Sequence, residues 1–242
     1  MKYLVVLTSF IFFSSCNYQD NTSEVKAAGS LKNIMIKGDL TPQLNSDSLT
    51  ISDNFFGLGP AENMKGELMI IDGNIYKSII TNDDKVEVGQ IKSFSAPFFV
   101  YGFFDNWEPV SPPKSNEITD KVIESYLNQI SKNKDLETFS FKIQTKVKKA
   151  KIHVLNYQQK SNQNPSKTTI HNDNRYFDLI DKEVFILGFY SNKHHGIFTH
   201  KNSNIHMHLI TKDKEMMGHL DEIVIDQNSE ITFFHSKKED HD

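Results

Sequence analysis

One cysteine, one arginine and one tryptophan occur in 242 residues. A single cysteine, Cys16, excludes an internal disulfide. A single arginine, Arg175, a net charge of −4 and no long basic run leave no electrostatic footprint for nucleic acid. No apolar run approaches the ~20 residues that span a bilayer as a helix. The first such run, Leu4–Phe13, is short and terminal. Internal repeats are absent, which sets aside solenoids and propellers.

What remains is a chain 38% hydrophobic with 18 phenylalanines, ample for one large core or two small ones. Residues 1–16 read as a targeting segment. Lys2 supplies the charge, Leu4–Phe13 the apolar stretch, and Phe13-Ser14-Ser15-Cys16 is similar to a bacterial lipoprotein cleavage site. The alternative is an ordinary secretory signal with an incidental cysteine. Either implies export to the cell envelope, and the first adds membrane contact through a lipidated Cys16. Residues 17–30 are polar and aperiodic, the pattern of a tether. Residues 31–242 form the expected domain.

That domain reads as mainly β. Glu67–Asp72 and Ile75–Ile79 flank Gly73-Asn74, a hairpin signal. Ser95–Phe104 is an aromatic strand candidate. Ile118, Val122, Ile123, Tyr126, Leu127 and Ile130 keep helical spacing, with Ser115 or Asn116 placed to cap. Phe139–Val147 alternates, Lys151–Tyr157 is placed to pair with it, and Val184–Tyr190 is a continuous apolar strand. Ser161–Asn174 reads as a loop. Ile205–Thr211, Leu220–Asp226 and Ile231–His235 complete the strands, and Ser236–Asp242 is a charged tail.

The chemistry concentrates in His206-Met207-His208 and Gly218-His219. Residues two apart on a strand share a face, so His206 and His208 point together while Ile205, Met207 and Leu209 enter a core. A turn near Lys212–Met217 returns His219 as a third ligand. Three histidines with one open position suit catalytic zinc. His-x-His strands also occur without metal, and in cupin-like barrels, whose next ligand is a glutamate; the nearest here is Glu215. His194, His195 and His200 precede the ligand strand and read as surface or pocket-lining. His235 and His241 read as exposed.

The segment His206-Met207-His208-Leu209-Ile210-Thr211-Lys212-Asp213 with Gly218-His219 resembles the zinc site of the acetolactate decarboxylase family. Gly57-Leu58-Gly59, Gly66-Glu67-Leu68-Met69, Asp72-Gly73-Asn74-Ile75-Tyr76 and Ala96-Pro97-Phe98-Phe99 resemble its opening motifs, and Gly188-Phe189 and Gly196-Ile197 its later ones. The resemblance spans about Leu31 to His235. It implies an α+β fold, β-rich, with mixed or antiparallel strands in two sheet regions and few helices. It also implies a Zn²⁺ lyase that converts 2-acetolactate, a small carboxylic acid, to acetoin and carbon dioxide, possible as a homodimer. Glu67 then maps to a proton-transfer or orienting carboxylate, with His206, His208 and His219 on the metal.

Departures from the pattern are specific. The family's Gly-Phe-Arg reads Gly188-Phe189-Tyr190, and a tyrosine cannot copy a bidentate guanidinium clamp. Tyr190 becomes a candidate hydrogen-bond donor to the acid, and Arg175, or Lys193, the candidate replacement cation. Pro60 stands for a threonine and Met217 for a glycine, and Glu239 is a poor match for the family's terminal glutamate. A second reading follows: a metal- or acid-binding envelope protein of the same fold without turnover.

Overall fold

A computed structural model describes residues 24–159, 165–226, 228, 229 and 231–236. The targeting segment with Cys16, the first half of the expected tether (17–23), Glu239 and His241 lie outside them.

Two antiparallel sheets dominate. The smaller contains β1 (Lys26–Gly29), β3 (Phe55–Pro60), β4 (Glu67–Ile71), β5 (Asn74–Ile80), β6 (Val86–Ile91) and β8 (Phe98–Phe103), in the order β1-β8-β3-β4-β5-β6. A two-stranded ribbon of β2 (Leu44–Asn45) and β7 (Ser95–Ala96) lies beside it. The larger sheet takes everything later in the chain: β9 (Trp107–Val110), β10 (Glu117–Thr119), β11 (Thr138–Lys146), β12 (Lys149–Val154), β13 (Arg175–Ile180), β14 (Glu183–Ser191), β15 (Ile205–Thr211), β16 (Met217–Asp226) and β17 (Ile231–Ser236). Its order is β13-β12-β16-β15-β14-β11-β17-β9, with β10 on β16. The α+β expectation of two sheet regions with few helices holds, and the named strands pair antiparallel throughout the described residues.

Several expectations shift. The strand expected at Lys151–Tyr157 does not pair with that at Phe139–Val147: β12 pairs with β13 and β16, and β11 with β14 and β17. Lys26–Gly29, read as tether, pairs with Phe98–Tyr101 and completes the small sheet's edge. Residues read as loop contain α2 (Lys167–Asn172), whose start carries a capping box between Ser166 and Thr169. The main helix, α1 (Asp120–Lys134), starts later than expected: Thr119 caps it, its hydroxyl accepting from Val122 N–H at 3.3 Å, while Ile118 belongs to β10.

Strand alternation sorts the side chains into layers. On one face of the large sheet, Phe139, Phe141, Ile143, Ile186, Tyr190, Ile205, Met207 and Leu209 pack with Ile123, Leu127 and Ile130 of α1. On the other face, Leu187, Phe189, Ile210 and Met217 meet Phe56, Leu58, Met69, Tyr76 and Phe98 of the small sheet. The small sheet's far face packs Phe55, Leu68, Ile70 and Phe99 against Leu44 and Ala96. Each fully buried large apolar side chain contributes about 1.5–3 kcal/mol. The space between the sheets holds the chemistry.

Candidate metal centre

β15 delivers His206 and His208 to the inter-sheet face, with Met207 turned to the helix side. β16 is hydrogen-bonded to β15 in a register that sets His219 opposite His208. Ring centroids are 5.3 Å apart for His206–His208, 5.0 Å for His206–His219 and 5.5 Å for His208–His219. One ligand nitrogen from each lies within 4.8 Å of the other two. Gly218 makes this packing possible: a Cβ there would stand 2.5 Å from the carbonyl oxygen of His153 on β12.

The small sheet supplies Glu67. It opens β4 directly after Gly66, whose φ of +108° and 2.1 Å clearance from the Ser78 carbonyl admit only glycine. Gly66 N–H also donates to the carbonyl of Leu155 at 2.7 Å, which ties the start of β4 to the end of β12. Glu67 Oε2 thereby reaches 3.6 Å from His208 Nε2.

Burial sets the protonation of every member. Desolvation, reinforced by the charge of His153, pushes His208 down to about 3. Desolvation likewise lowers His206 and His219 well below the usual histidine range, with neighbouring imidazoles adding to it. Glu67 moves the other way: burial raises it well above the carboxylate range, a backbone hydrogen bond at Leu155 opposes, and Asp221 adds to the rise. Both shifts favour the neutral forms, which disfavours an ion pair across the 3.6 Å contact.

These residues fit a divalent metal. Neutral imidazoles offer lone pairs, as ligation requires. His206 Nδ1 lies 2.9 Å from the carbonyl of Phe198, so that nitrogen carries the hydrogen and Nε2 is the ligating atom. Both nitrogens of His208 and Oε1 of Glu67 are buried with no hydrogen-bond partner. Such atoms are rare in a packed interior unless something completes them.

The other expected site residues do not join this cluster. Tyr190 lies on the opposite face of the large sheet, stacked on Phe139 at 4.7 Å and donating from its hydroxyl to Asn128 Oδ1 of α1 at 2.7 Å. Its strand alternates, and Phe189, not Tyr190, shares the histidine face. Arg175 starts edge strand β13; its Nε donates to Asp84 at 2.8 Å and its Nη1 to the Asp173 carbonyl. Lys193 is exposed and ion-paired with Glu137. Pro60 is buried opposite Glu67 in the β3–β4 register. His235 is buried, not exposed, with Nε2 3.6 Å from Glu108. Of the loop histidines, His194 is held by Ser191 and His195 by Asn204, while His200 Nε2 comes within 3.2 Å of His219 Nε2.

Two residues absent from the sequence reading do join. His153 on β12 pairs with His219 across the ladder, its ring 4.7 Å away. Asp221 holds His153 Nδ1 at 2.9 Å from both carboxylate oxygens. No local spacing marks either residue, since the β12–β16 register brings them to His219.

A family model for alpha-acetolactate decarboxylase matches residues 29–239. The chain belongs to the alpha-acetolactate decarboxylase family. Its fold is similar to the alpha-acetolactate decarboxylase of Bacillus subtilis strain 168, at 18% identity with a TM-score of 0.69, covering 88% of this chain and 86% of that one. It is similar to the acetolactate decarboxylase of Bacillus subtilis subspecies spizizenii at 19% identity, TM-score 0.66, with 88% and 86% covered. A Staphylococcus aureus protein of unknown function, described as similar to this decarboxylase, matches at 16% identity, TM-score 0.67, with 89% and 86% covered. No curated protein matches the sequence.

Proposed function

We propose that this family member is a zinc-dependent lyase that decarboxylates 2-acetolactate, or a related 2-hydroxy-3-oxo acid, to acetoin and carbon dioxide. The observation that carries the proposal is the convergence of three buried neutral histidines on one inter-sheet space with a buried glutamate 3.6 Å from one of them. His206, His208 and His219 would hold the zinc, and zinc there supplies Lewis-acid stabilisation of the negative charge left when carbon dioxide departs.

The protein's own groups account for the rest. Burial raises Glu67 well above the carboxylate range and so favours its acid form, which places a proton beside the site for the carbanionic carbon after decarboxylation. Phe98 stacks on His206 at 5.9 Å, and Phe189, Leu187 and Met217 belong to the same inter-sheet cluster, which excludes water from the charge that develops. The His206–Phe198 hydrogen bond fixes that ring's orientation.

The substrate is a carboxylate, and its partner is the point on which a second reading turns. Arg175 and Lys193 are engaged by Asp84 and Glu137. That favours a metal- or acid-binding envelope protein without turnover as the alternative. Incubating the zinc-loaded protein with racemic acetolactate and measuring acetoin decides between them. Acetoin above the uncatalysed background supports the lyase; none, with zinc bound stoichiometrically, leaves the binding protein. Export to the envelope through a lipidated Cys16 belongs to the same proposal and is checked by mass spectrometry of the mature N-terminus. A homodimer is checked by light scattering.

A further inference from the structure

We infer that this chain carries a second cation seat, formed by His153 and Asp221 and sharing His219 with the first. The proposal goes beyond the lyase reading and borrows only His219 from it. His153, His219 and Asp221 bring one ligand atom each within 4.8 Å of the other two, a separate group from His206, His208 and His219.

Three observations build the seat. First, β12 and β16 pair so that His153 and His219 stand side by side, and Gly218 leaves the backbones close enough for it. Second, the β12–β16 register slips between Lys151 and Ile152: Ile152 pairs with Leu220 and Lys151 with Glu222, so Asp221 is the extra, bulged residue. A bulge re-aims a side chain and is frequent beside active sites. Its effect shows in the core, where Leu220, Ile223 and Ile225 share the helix face, a spacing simple alternation does not give. Asp221 is thereby turned onto His153. Third, the donor atoms converge: His153, Asp221 and His219 each bring one within 4.8 Å of the others. His153 Nδ1 now hydrogen-bonds both oxygens of Asp221 at 2.9 Å, a contact that an entering ion replaces with release of the Nδ1 proton.

The chemistry of the donors agrees. Two imidazoles and one carboxylate suit zinc or cobalt better than magnesium or calcium. His153 and His219 are each only 8% exposed, and Asp221 is half-buried, so the carboxylate's charge is poorly solvated where it stands. A neutral imidazole has one lone-pair nitrogen and one N–H, so with both seats filled His219 bridges them as an imidazolate, its ring proton released to solvent when the second ion binds. The two ions would then occupy one histidine-rich row that crosses β12, β16 and β15.

Metal counting on the full chain tests this. The protein is loaded with Co²⁺ or Zn²⁺, freed of excess by dialysis, and analysed for metal per chain. The expected result is two equivalents for the native protein, one for Asp221→Asn, one for His208→Ala, and neither retained tightly by His219→Ala. His153→Gln serves as an independent variant of the second seat, and circular dichroism confirms folding of each. The cobalt absorption bands that persist in Asp221→Asn should be those lost in His208→Ala. One equivalent in the native protein, or two in both Asp221→Asn and His153→Gln, overturns the inference. A single equivalent removed by His208→Ala overturns the second seat while leaving the first intact, so the two proposals fail separately.

Discussion

The two faces of the large sheet are made from the same strands and have opposite character. On the face toward α1, polar atoms that enter the core find partners: the Tyr190 hydroxyl reaches Asn128, and Ser131 Oγ donates to the Leu136 carbonyl at 2.6 Å. On the face toward the small sheet, His208 and Glu67 are buried with atoms unpartnered, and so is Ser78 Oγ, which stands directly opposite Glu67 in the β4–β5 register. A buried polar atom without a partner costs about 1–3 kcal/mol. The helix face is built for stability, and the inter-sheet face gives up stability to keep ligands and a proton ready. β15 contains the contrast within three residues, with Met207 on one side and His206 and His208 on the other.

The strongest way to sharpen this contrast is Glu67→Gln. Amide for acid keeps the volume and removes the proton, so acetoin formation should fall by about 10²–10⁴-fold with metal content unchanged. The same change predicts a stability signature in the metal-free protein. Burial raises the folded-state value of Glu67 above 4.5, so its contribution is complete below that pH and is lost as pH rises through the raised value. Native apo-protein should therefore lose up to about 1.4 kcal/mol per pH unit from this group over that window, and Glu67→Gln should flatten the slope. Urea melts between pH 5 and 8 measure it; parallel slopes in the two proteins would remove the assigned protonation.

His208→Leu should act in two directions. Loss of a ligand weakens metal binding by roughly 100-fold or more, beyond the 10–100-fold typical of supporting residues. Without metal, the same variant should be more stable than the native apo-protein by about 1–3 kcal/mol, because two unpartnered buried nitrogens are gone. Calorimetry with and without Zn²⁺ reads both. On the other face, Leu127→Ala removes a fully buried helix contact and should cost about 2–5 kcal/mol, while metal per chain stays unchanged. A Leu127→Ala protein that folds but loses metal would show that the two faces are not independent.

How much of this was legible before folding follows the physics of each element. His206 and His208 were readable because a period of two is local, and the Glu67 hairpin because its turn residues are local. His153 and Asp221 were not, since their approach depends on the β12–β16 register and on a bulge that no local pattern announces. Arg175 looked available only because it was the sole arginine; its partner Asp84 is 91 positions away. Tyr190 was misplaced for a different reason. Val184–Ser191 is buried on nearly every residue, and a strand covered on both faces loses the alternation that would tell one face from the other.

Tyr190→Phe gives the smallest expected effect and probes that last point directly. The phenyl ring keeps the stack on Phe139, and only the hydroxyl that donates to Asn128 is removed. One neutral hydrogen bond contributes about 0.5–1.5 kcal/mol, and Asn128 keeps Asn204 as a second partner at 2.7 Å, which places the loss at the lower end. Metal affinity and acetoin formation should be unchanged, since the hydroxyl faces α1 and a whole sheet separates it from His206 and His208. A loss of activity of 10-fold or more at unchanged stability would place the hydroxyl in the substrate's reach after all, and the division of the sheet into a structural face and a chemical face would not survive it.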